Sequence, residues 1–245
     1  MLTKTPEAQF GTRIELEGGE QLELSEAGCP DGTTIVVRDL FYNVPARLKF
    51  LKRDVYEAGL VAGIVEKLAL SHPEVSVKLI RDNKVELHTP GDGKIVSAVY
   101  AVFGKEFAKT LLPVDYSYQG IHVCGFASIP DLSRANRKSQ HFFVNGRYVK
   151  SRTCAGALEE AYRHSIMVGR FPACVLYYEV PSDSVDVNVH PAKTEIRFIN
   201  EKNVYDATYF AVKGAITDYS KNLLKEKQAT LCHCAQSNAD LSSGV

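Results

Sequence analysis

A lysine near the C-terminal end of the sequence has the chemistry needed to bind a phosphate. Strand alternation before it would place Asp186, Asn188 and His190 on one face, and Pro191 would end the strand by fixing its own φ. Lys193 is therefore predicted on a short, stiff loop, where its ammonium loses little entropy on meeting a phosphate. A solvated turn lysine fits the same pattern. A catalytic dyad does not, because Asp186 and His190 are about 13 Å apart along a strand that rises ~3.3 Å per residue.

A run of cations without carboxylates marks a second segment. Residues 132–158 contain no Asp or Glu. The cations in this stretch are Arg134, Arg137, Lys138, Arg147, Lys150 and Arg152. Asn145-Gly146 is typical of a type I′ hairpin turn, which would project Arg147. Such a patch would bind a phosphate backbone and weaken steeply with salt, but a solvated edge that protects a strand from aggregation is an equally good interpretation.

Two further positions offer weaker signals. Gly32 permits close backbone approach and Thr33 carries a hydroxyl, which suits a nucleotide pocket and equally suits any turn. Asn43 stands just before a helical pattern that has Pro45 near its first turn, so it would serve as an N-terminal cap. Neither signal alone indicates a function.

The elements that must position these residues predict an α+β chain. Two alternating runs around Gly18-Gly19 predict a hairpin, and the β-branched residues 33–38 predict a buried strand. A turn cluster at residues 89–93 predicts a domain boundary. We therefore divide the chain into a partial first domain at 1–92, a second domain at 93–225 and a disordered tail at 226–245, which is short of large apolar residues.

Composition excludes several classes of protein. Lys plus Arg equals Asp plus Glu at 29 each, so any nucleic-acid surface must be local. No signal peptide and no apolar run of the ~20 residues that cross a bilayer is present, which predicts no membrane partner. Scattered cysteines are typical of a reducing compartment, so we expect a cytoplasmic protein, or a nuclear one in a eukaryote. Cys232 and Cys234 lack the spacing and the second pair of a zinc site, so no metal is predicted.

Three strings occur in a specific order: GTTIVVRDLFYNVPARLKFLK, FFVNGRYVKSR and VDVNVHPAKTEIRF. Together they closely resemble the N-terminal region of MutL-family DNA mismatch repair proteins, and the likeness runs over about residues 12–218. The residues that carry the family's motifs are Asn43, Pro45, Ala46, Arg47, His190 and Pro191.

The resemblance implies a fold and a set of roles. The first domain would be the C-terminal portion of an ATP-binding sandwich of the gyrase, Hsp90, histidine kinase and MutL type, followed by a ribosomal-protein-like, transducer-type α/β domain. By the same likeness, Lys193 would contact the terminal phosphate of ATP and Thr33, next to Gly32, would line the pocket. Arg152 would bind DNA, and the rest of the predicted DNA surface is Arg147, Lys150, Arg137 and Lys138.

Departures from the family pattern limit that expectation. The helix that supplies a catalytic Glu and a magnesium-binding Asn, the Asp-x-Gly-x-Gly element and the GFRGEAL segment do not occur in this sequence. We therefore expect no tight ATP binding and no hydrolysis by this chain alone, although ATP with Mg serves the family. A chain that begins partway into a domain should leave a sheet edge and a core face uncovered, and its first ~90 residues should be marginally stable.

The expected partners are duplex or single-stranded DNA, a mismatch-recognition protein, downstream repair enzymes and a second family subunit in a homodimer or heterodimer. Two alternatives stay open. A separate N-terminal half could complete an ATPase, or the second domain could bind RNA. A small-molecule kinase is disfavoured, because the sequence has no lysine-bearing P-loop.

Overall fold

A computed structural model describes the backbone of residues 1–186 and 196–242 and the side chains of residues 1–186 and 196–225. The described backbone divides by compactness into two units, Met1–Leu60 and Val61–Val245. That division falls inside a long helix, so the domain boundary expected near residue 92 stays a prediction.

The first unit is built on one antiparallel sheet. Its strands are β1 (Leu2–Lys4), β2 (Gly11–Glu17), β3 (Glu20–Ala27) and β4 (Gly32–Thr34), in the order β3-β2-β1-β4. Gly18 and Gly19 join β2 to β3 with φ angles of 61° and 102°, a backbone region that favours glycine. The predicted hairpin is therefore confirmed. A short helix, α1 (Pro45–Leu48), follows.

The apolar side chains of the first unit are exposed or only partly buried. The buried strand predicted over residues 33–38 is wrong: β4 ends at Thr34, and Ile35 and Val37 are 67% and 69% exposed. β-Branched residues favour a strand only where a neighbouring layer covers them, and no described residue of this unit does so. Among its described residues, no apolar side chain is buried.

The second unit contains most of the regular structure. Its helices and strands are α2 (Asp54–Ser71, which begins in the first unit), β5 (Lys78–Arg81), β6 (Lys84–His88), α3 (Ile95–Phe103), α4 (Lys105–Ala108), β7 (Leu111–Tyr118), β8 (Ile121–Ser128), β9 (Gln140–Val144), β10 (Arg147–Val149), α5 (Arg152–Ala161), β11 (Cys174–Glu179), β12 (Val185–Asp186), β13 (Arg197–Phe198) and α6 (Glu201–Ser242).

A five-stranded sheet organises this unit. Its order is β10-β9-β11-β8-β7, and only β9 and β11 run parallel. One face packs against α5 and α6 through Leu158, Tyr178 and Val212. The other face buries Phe143 and Val175 with residues of α2 and α3. The sheet is thus covered on both sides, with β10 at one edge.

The last helix is longer than its apolar pattern predicts. Side chains of α6 pack in or against the core as far as Tyr219. The helical backbone continues to Ser242, into the segment predicted to be disordered. Side chains of residues 226–245 lie outside the described residues, so whether this segment packs stays a prediction. Across the described part of the chain, none of the helices combines the length and the apolar content that a membrane crossing requires.

Candidate nucleic-acid interface

The hairpin between β9 and β10 presents the first predicted cation. Asn145 and Gly146 adopt φ angles of 46° and 78°, as the type I′ prediction requires. The Asn145 side chain donates to the carbonyl of Val180 at 2.9 Å and accepts from its backbone N–H at 3.0 Å. Arg147 pairs with Val144 across the two strands. It therefore projects from a turn that is hydrogen-bonded to Val180, directly after β11.

Side chains of the edge strand β10 alternate between the two faces of the sheet. Val149 is buried in the core with α5 and α6, whereas Tyr148 packs on the opposite face, its ring meeting that of Phe143 edge-on at 5.9 Å. Alternation continues this pattern, so Arg147 and Lys150 lie toward opposite faces of the same rim. Cations on the two faces can therefore approach one polyanion lying along this edge.

α5 begins directly after β10, and its first residue is Arg152. Ser151 caps the helix by accepting from the backbone N–H of Cys154 at 3.1 Å. No acidic residue stands in the first turn, although the helix dipole favours acids there and disfavours cations. Arg152 therefore gains no stability from the helix dipole at this position.

Arg147, Lys150 and Arg152 are all exposed. None of them lies within ion-pair distance of a carboxylate in the part of the chain that the structure describes. We call these three residues the rim cations. Their charge is available to solvent and to a ligand.

Arg137 and Lys138 lie in a short turn directly before β9. The Arg137 guanidinium donates twice to the carboxylate of Glu159, at 2.6 and 3.0 Å, and lies 4.3 Å from the ring centroid of Phe171. Hydrogen bonding to Glu159 raises the pKa of Arg137, and the same bond lowers the pKa of Glu159. The expected absence of a counter-charge therefore fails for Arg137, because the fold brings in a carboxylate from outside the acid-free stretch. Lys138 is exposed.

Lys67 was missed by the sequence analysis. Its ammonium lies 4.9 Å from the ring centroid of Tyr148. Tyr148 stands between the rim cations Arg147 and Lys150 in the sequence. The last turn of α2 is tied to the same sheet: the Ser71 hydroxyl donates to the carbonyl of Gly146, and the Tyr177 hydroxyl donates to that of Leu70 at 2.7 Å. Nothing in the sequence signals this approach, because the two segments are far apart along the chain.

His141 adds no charge to the rim. It is 5% exposed, between the rings of Phe103 and Tyr148 at 5.5 and 6.2 Å, and its Nδ1 has no hydrogen-bond partner among the described residues. Burial, with a smaller contribution from the charge of Lys67, lowers the pKa of His141 to about 4. The imidazole is therefore neutral near pH 7, and the charge of this edge comes from Lys and Arg.

The predicted nucleotide residues are only partly described. Gly32 has a φ of 109° with open space where a Cβ would stand, and the exposed Thr33 hydroxyl shares a hydrogen bond of 2.9 Å with that of Thr3 on β1. Within the first unit these residues form an open surface rather than an enclosed pocket. His190, Pro191 and Lys193 lie outside the described residues, so their place beside Thr33 stays a prediction.

The Asn43 to Arg47 motif lies at a strained bend. Val44, not Asn43, is the N-cap of α1, and no side chain caps this helix, so the capping role expected for Asn43 is wrong. Pro45 occupies the first turn, where its missing N–H costs nothing. The Arg47 guanidinium lies 6.0 Å from the ring centroid of Phe41, whose φ of 69° is unusual for a bulky residue. Such strain is typical of functional segments.

Comparison with known proteins identifies the family. Residues 99–217 match the family model described as the DNA mismatch repair protein C-terminal domain. The DNA mismatch repair protein MutL of Agathobacter rectalis is 46% identical over 205 residues, which are 84% of this chain and 32% of that protein. The MutL of Symbiobacterium thermophilum is 44% identical over 216 residues, covering 88% of this chain and 34% of that protein. The chain thus spans about a third of the length of these relatives.

Solved structures agree on the fold. The N-terminal domain of a DNA repair protein superposes with a TM-score of 0.75 at 23% identity, covering 91% of this chain and 72% of the other. The Aquifex aeolicus MutL ATPase domain complexed with ADP gives a TM-score of 0.61 at 25% identity, with coverages of 84% and 70%. These neighbours confirm the predicted α+β fold of the MutL ATPase type. With sequence relatives and fold in agreement, the chain belongs to the MutL family of DNA mismatch repair proteins.

Proposed function

We propose that this chain is a DNA-contacting part of a MutL mismatch repair protein and binds the phosphate backbone of DNA without reading its sequence. The observation that carries the proposal is the set of rim cations, Arg147, Lys150 and Arg152, exposed at one sheet edge and free of carboxylates within the described residues. Lys67 approaches the same edge from α2. Four cations on one rim suit a polyanion better than a small ligand.

The two phenylalanines of β9 argue against base recognition. Phe142 and Phe143 are 3% and 0% exposed, so neither can stack on a base. Affinity would then come mainly from counterion release, with a slope of log K against log salt near −0.9 per neutralised phosphate of duplex DNA. We expect the chain to bind duplexes of different sequence about equally.

We also propose that Thr33 and Lys193 respond to a nucleotide and that DNA binding is coupled through them to a mismatch-recognition protein and downstream repair enzymes. Support comes from the family membership and from the neighbour that was solved with ADP. The open surface around Gly32 and Thr33 gives no enclosed site, and we derive no step of ATP hydrolysis from it. We expect the purified chain to turn over no ATP, and turnover that is lost in Lys193→Ala would contradict this.

Duplex binding tests the DNA proposal. DNA affinity is measured by fluorescence anisotropy with a 30-base-pair duplex over a series of salt concentrations. We expect Arg152→Glu to lose tenfold or more in affinity, because the substitution removes one attraction and adds one repulsion, each on the order of 1 kcal/mol. Arg152→Gln and Lys67→Gln should each reduce the salt slope by about 1. Lys84→Gln, at the tip of the β5–β6 hairpin, is the matched control.

Equal binding by wild type and Arg152→Glu would refute the proposal. So would a preference for structured RNA over duplex DNA in a direct competition, which would favour the RNA-binding alternative. Wild-type binding by Lys67→Gln alone would remove Lys67 from the surface and leave the rim cations in place.

A further inference from the structure

The loop that follows α5 displays two apolar side chains at its tip. Met167 is 82% exposed and Val168 is 105% exposed, the largest exposure among the apolar residues of the described chain. Next to them, Ile166 turns inward and packs against the core that α5 and α6 share. Ile166 thus packs against the core, whereas Met167 and Val168, which follow it, are exposed to solvent.

The base of this loop is held on both sides. The Arg170 guanidinium donates to the carbonyl of Ser133 at 2.7 Å, and the Arg170 backbone N–H donates to the carbonyl of Met167 at 3.1 Å. Phe171 and Arg134 exchange two backbone hydrogen bonds, at 2.8 and 2.6 Å. A tip fastened in this way loses little conformational entropy when its side chains are buried by a partner.

The loop and the segment bonded to its base carry more cations than carboxylates. The cations on the loop and on the segment bonded to its base are Arg134, Arg137, Lys138, Arg163 and Arg170. Glu159 pairs with Arg137 and Glu160 pairs with Arg163, while Asp131 is the one carboxylate of residues 130–139. Five cations and three carboxylates leave a surplus of two positive charges, before His164 is counted. An apolar protein partner would have to desolvate these cations, whereas a polyanion would neutralise them.

We propose that Met167 and Val168 form an apolar wedge that enters the minor groove of duplex DNA, while the cations around it hold the phosphates on either side. This inference rests on the proposed DNA binding and extends it to a second contact. Arg152 begins α5, which is roughly 15 Å long at 1.5 Å per residue, and the tip starts six residues after the helix ends, so one duplex is long enough to reach both. Apolar wedges between base steps unstack and bend a duplex, which lets it cover more protein surface.

The experiment compares the double variant Met167→Ser/Val168→Ser with wild type on a 30-base-pair duplex that carries a donor and an acceptor dye at its ends. We expect about a tenfold loss of affinity and a smaller bend-dependent energy transfer, with an unchanged salt slope, because an apolar contact releases no counterions. Val96→Ser, at a 56% exposed apolar position on α3, is the matched control and should leave all three readouts unchanged.

The two proposals fail in different ways. If Arg152→Glu loses binding but the double variant keeps wild-type affinity and energy transfer, the wedge is refuted and the rim cations stand. A double variant whose salt slope falls in step with its affinity would also refute the wedge, since the loss would then be electrostatic. If neither variant changes binding, both proposals fail. Both substituted positions are exposed, so an unchanged unfolding midpoint should accompany every outcome.

Discussion

The two units of this chain place similar apolar residues in opposite environments. In the first unit, Ile35, Val36 and Val37 follow a paired strand and are 67%, 62% and 69% exposed. In the second, Val175 and Leu176 on β11 are 1% and 0% exposed, because helices cover both sheet faces. Local pairing and turn geometry thus suffice to lay out a four-stranded sheet, but burial depends on a second layer. Exposed apolar side chains of this kind are common where another surface binds.

The largest effect expected from this contrast is on the stability of the second unit. Leu176→Ala removes a fully buried side chain from the middle strand of the five-stranded sheet, which typically costs 2–5 kcal/mol, or roughly 3 kcal/mol here. Val36→Ala in the first unit should change the free energy of unfolding by less than about 0.5 kcal/mol. Urea titration followed by circular dichroism measures both. Equal costs would show that the first unit is packed in solution, and the comparison would break down.

A smaller effect is expected from making the first unit polar. The double variant Ile35→Ser/Val37→Ser should leave the free energy of unfolding within about 0.5 kcal/mol of wild type, because both side chains already face solvent. It should bind less of a hydrophobic dye and self-associate less as concentration rises, which size-exclusion chromatography would show. A loss of more than about 1 kcal/mol would mean that these residues are buried against another surface.

The contrast also explains what the sequence could predict of the fold. The Gly18-Gly19 and Asn145-Gly146 hairpins were predictable, because turn type is decided by adjacent residues. The buried strand at residues 33–38 was not, because burial depends on a covering layer that a strand's own pattern cannot show. The predicted N-cap, Asn43, is one residue before the observed N-cap, Val44. Local sequence pattern does not determine helix ends to within one residue.

The candidate site was predictable to a similar extent. Arg147, Lys150 and Arg152 come together because a hairpin and a helix start fall within a few residues of one another. Glu159 and Lys67 reach the neighbourhood by tertiary packing. An acid-free stretch of sequence therefore shows neither the counter-charge of Arg137 nor the added cation beside Tyr148. The exposure of Met167 and Val168 could not be predicted, because apolar residues in a sequence favour burial.

The smallest effect concerns a histidine at the surface of the second unit. His122 on β8 lies 3.0 Å from a carboxylate oxygen of Asp115 on β7 and 3.5 Å from one of Glu179 on β11. The hydrogen bond with Asp115 raises the pKa of His122, partial burial opposes the shift, and the charges of Asp115 and Glu179 add to it. The folded state therefore binds this proton more tightly than the unfolded chain, where the pKa is near 6.5.

The sign of the pH dependence follows from linkage. A raised folded-state pKa contributes stability that is complete below the unfolded value and is lost as pH rises through the folded value. The free energy of unfolding of wild type minus that of His122→Gln should accordingly be larger at about pH 5.5 than at about pH 8.5. This difference should stay well below the cost of Leu176→Ala, because the carboxylates of Asp115 and Glu179 are largely exposed. Urea titrations at the two pH values measure it. An equal difference at both would show that the imidazole gains nothing from its carboxylate neighbours.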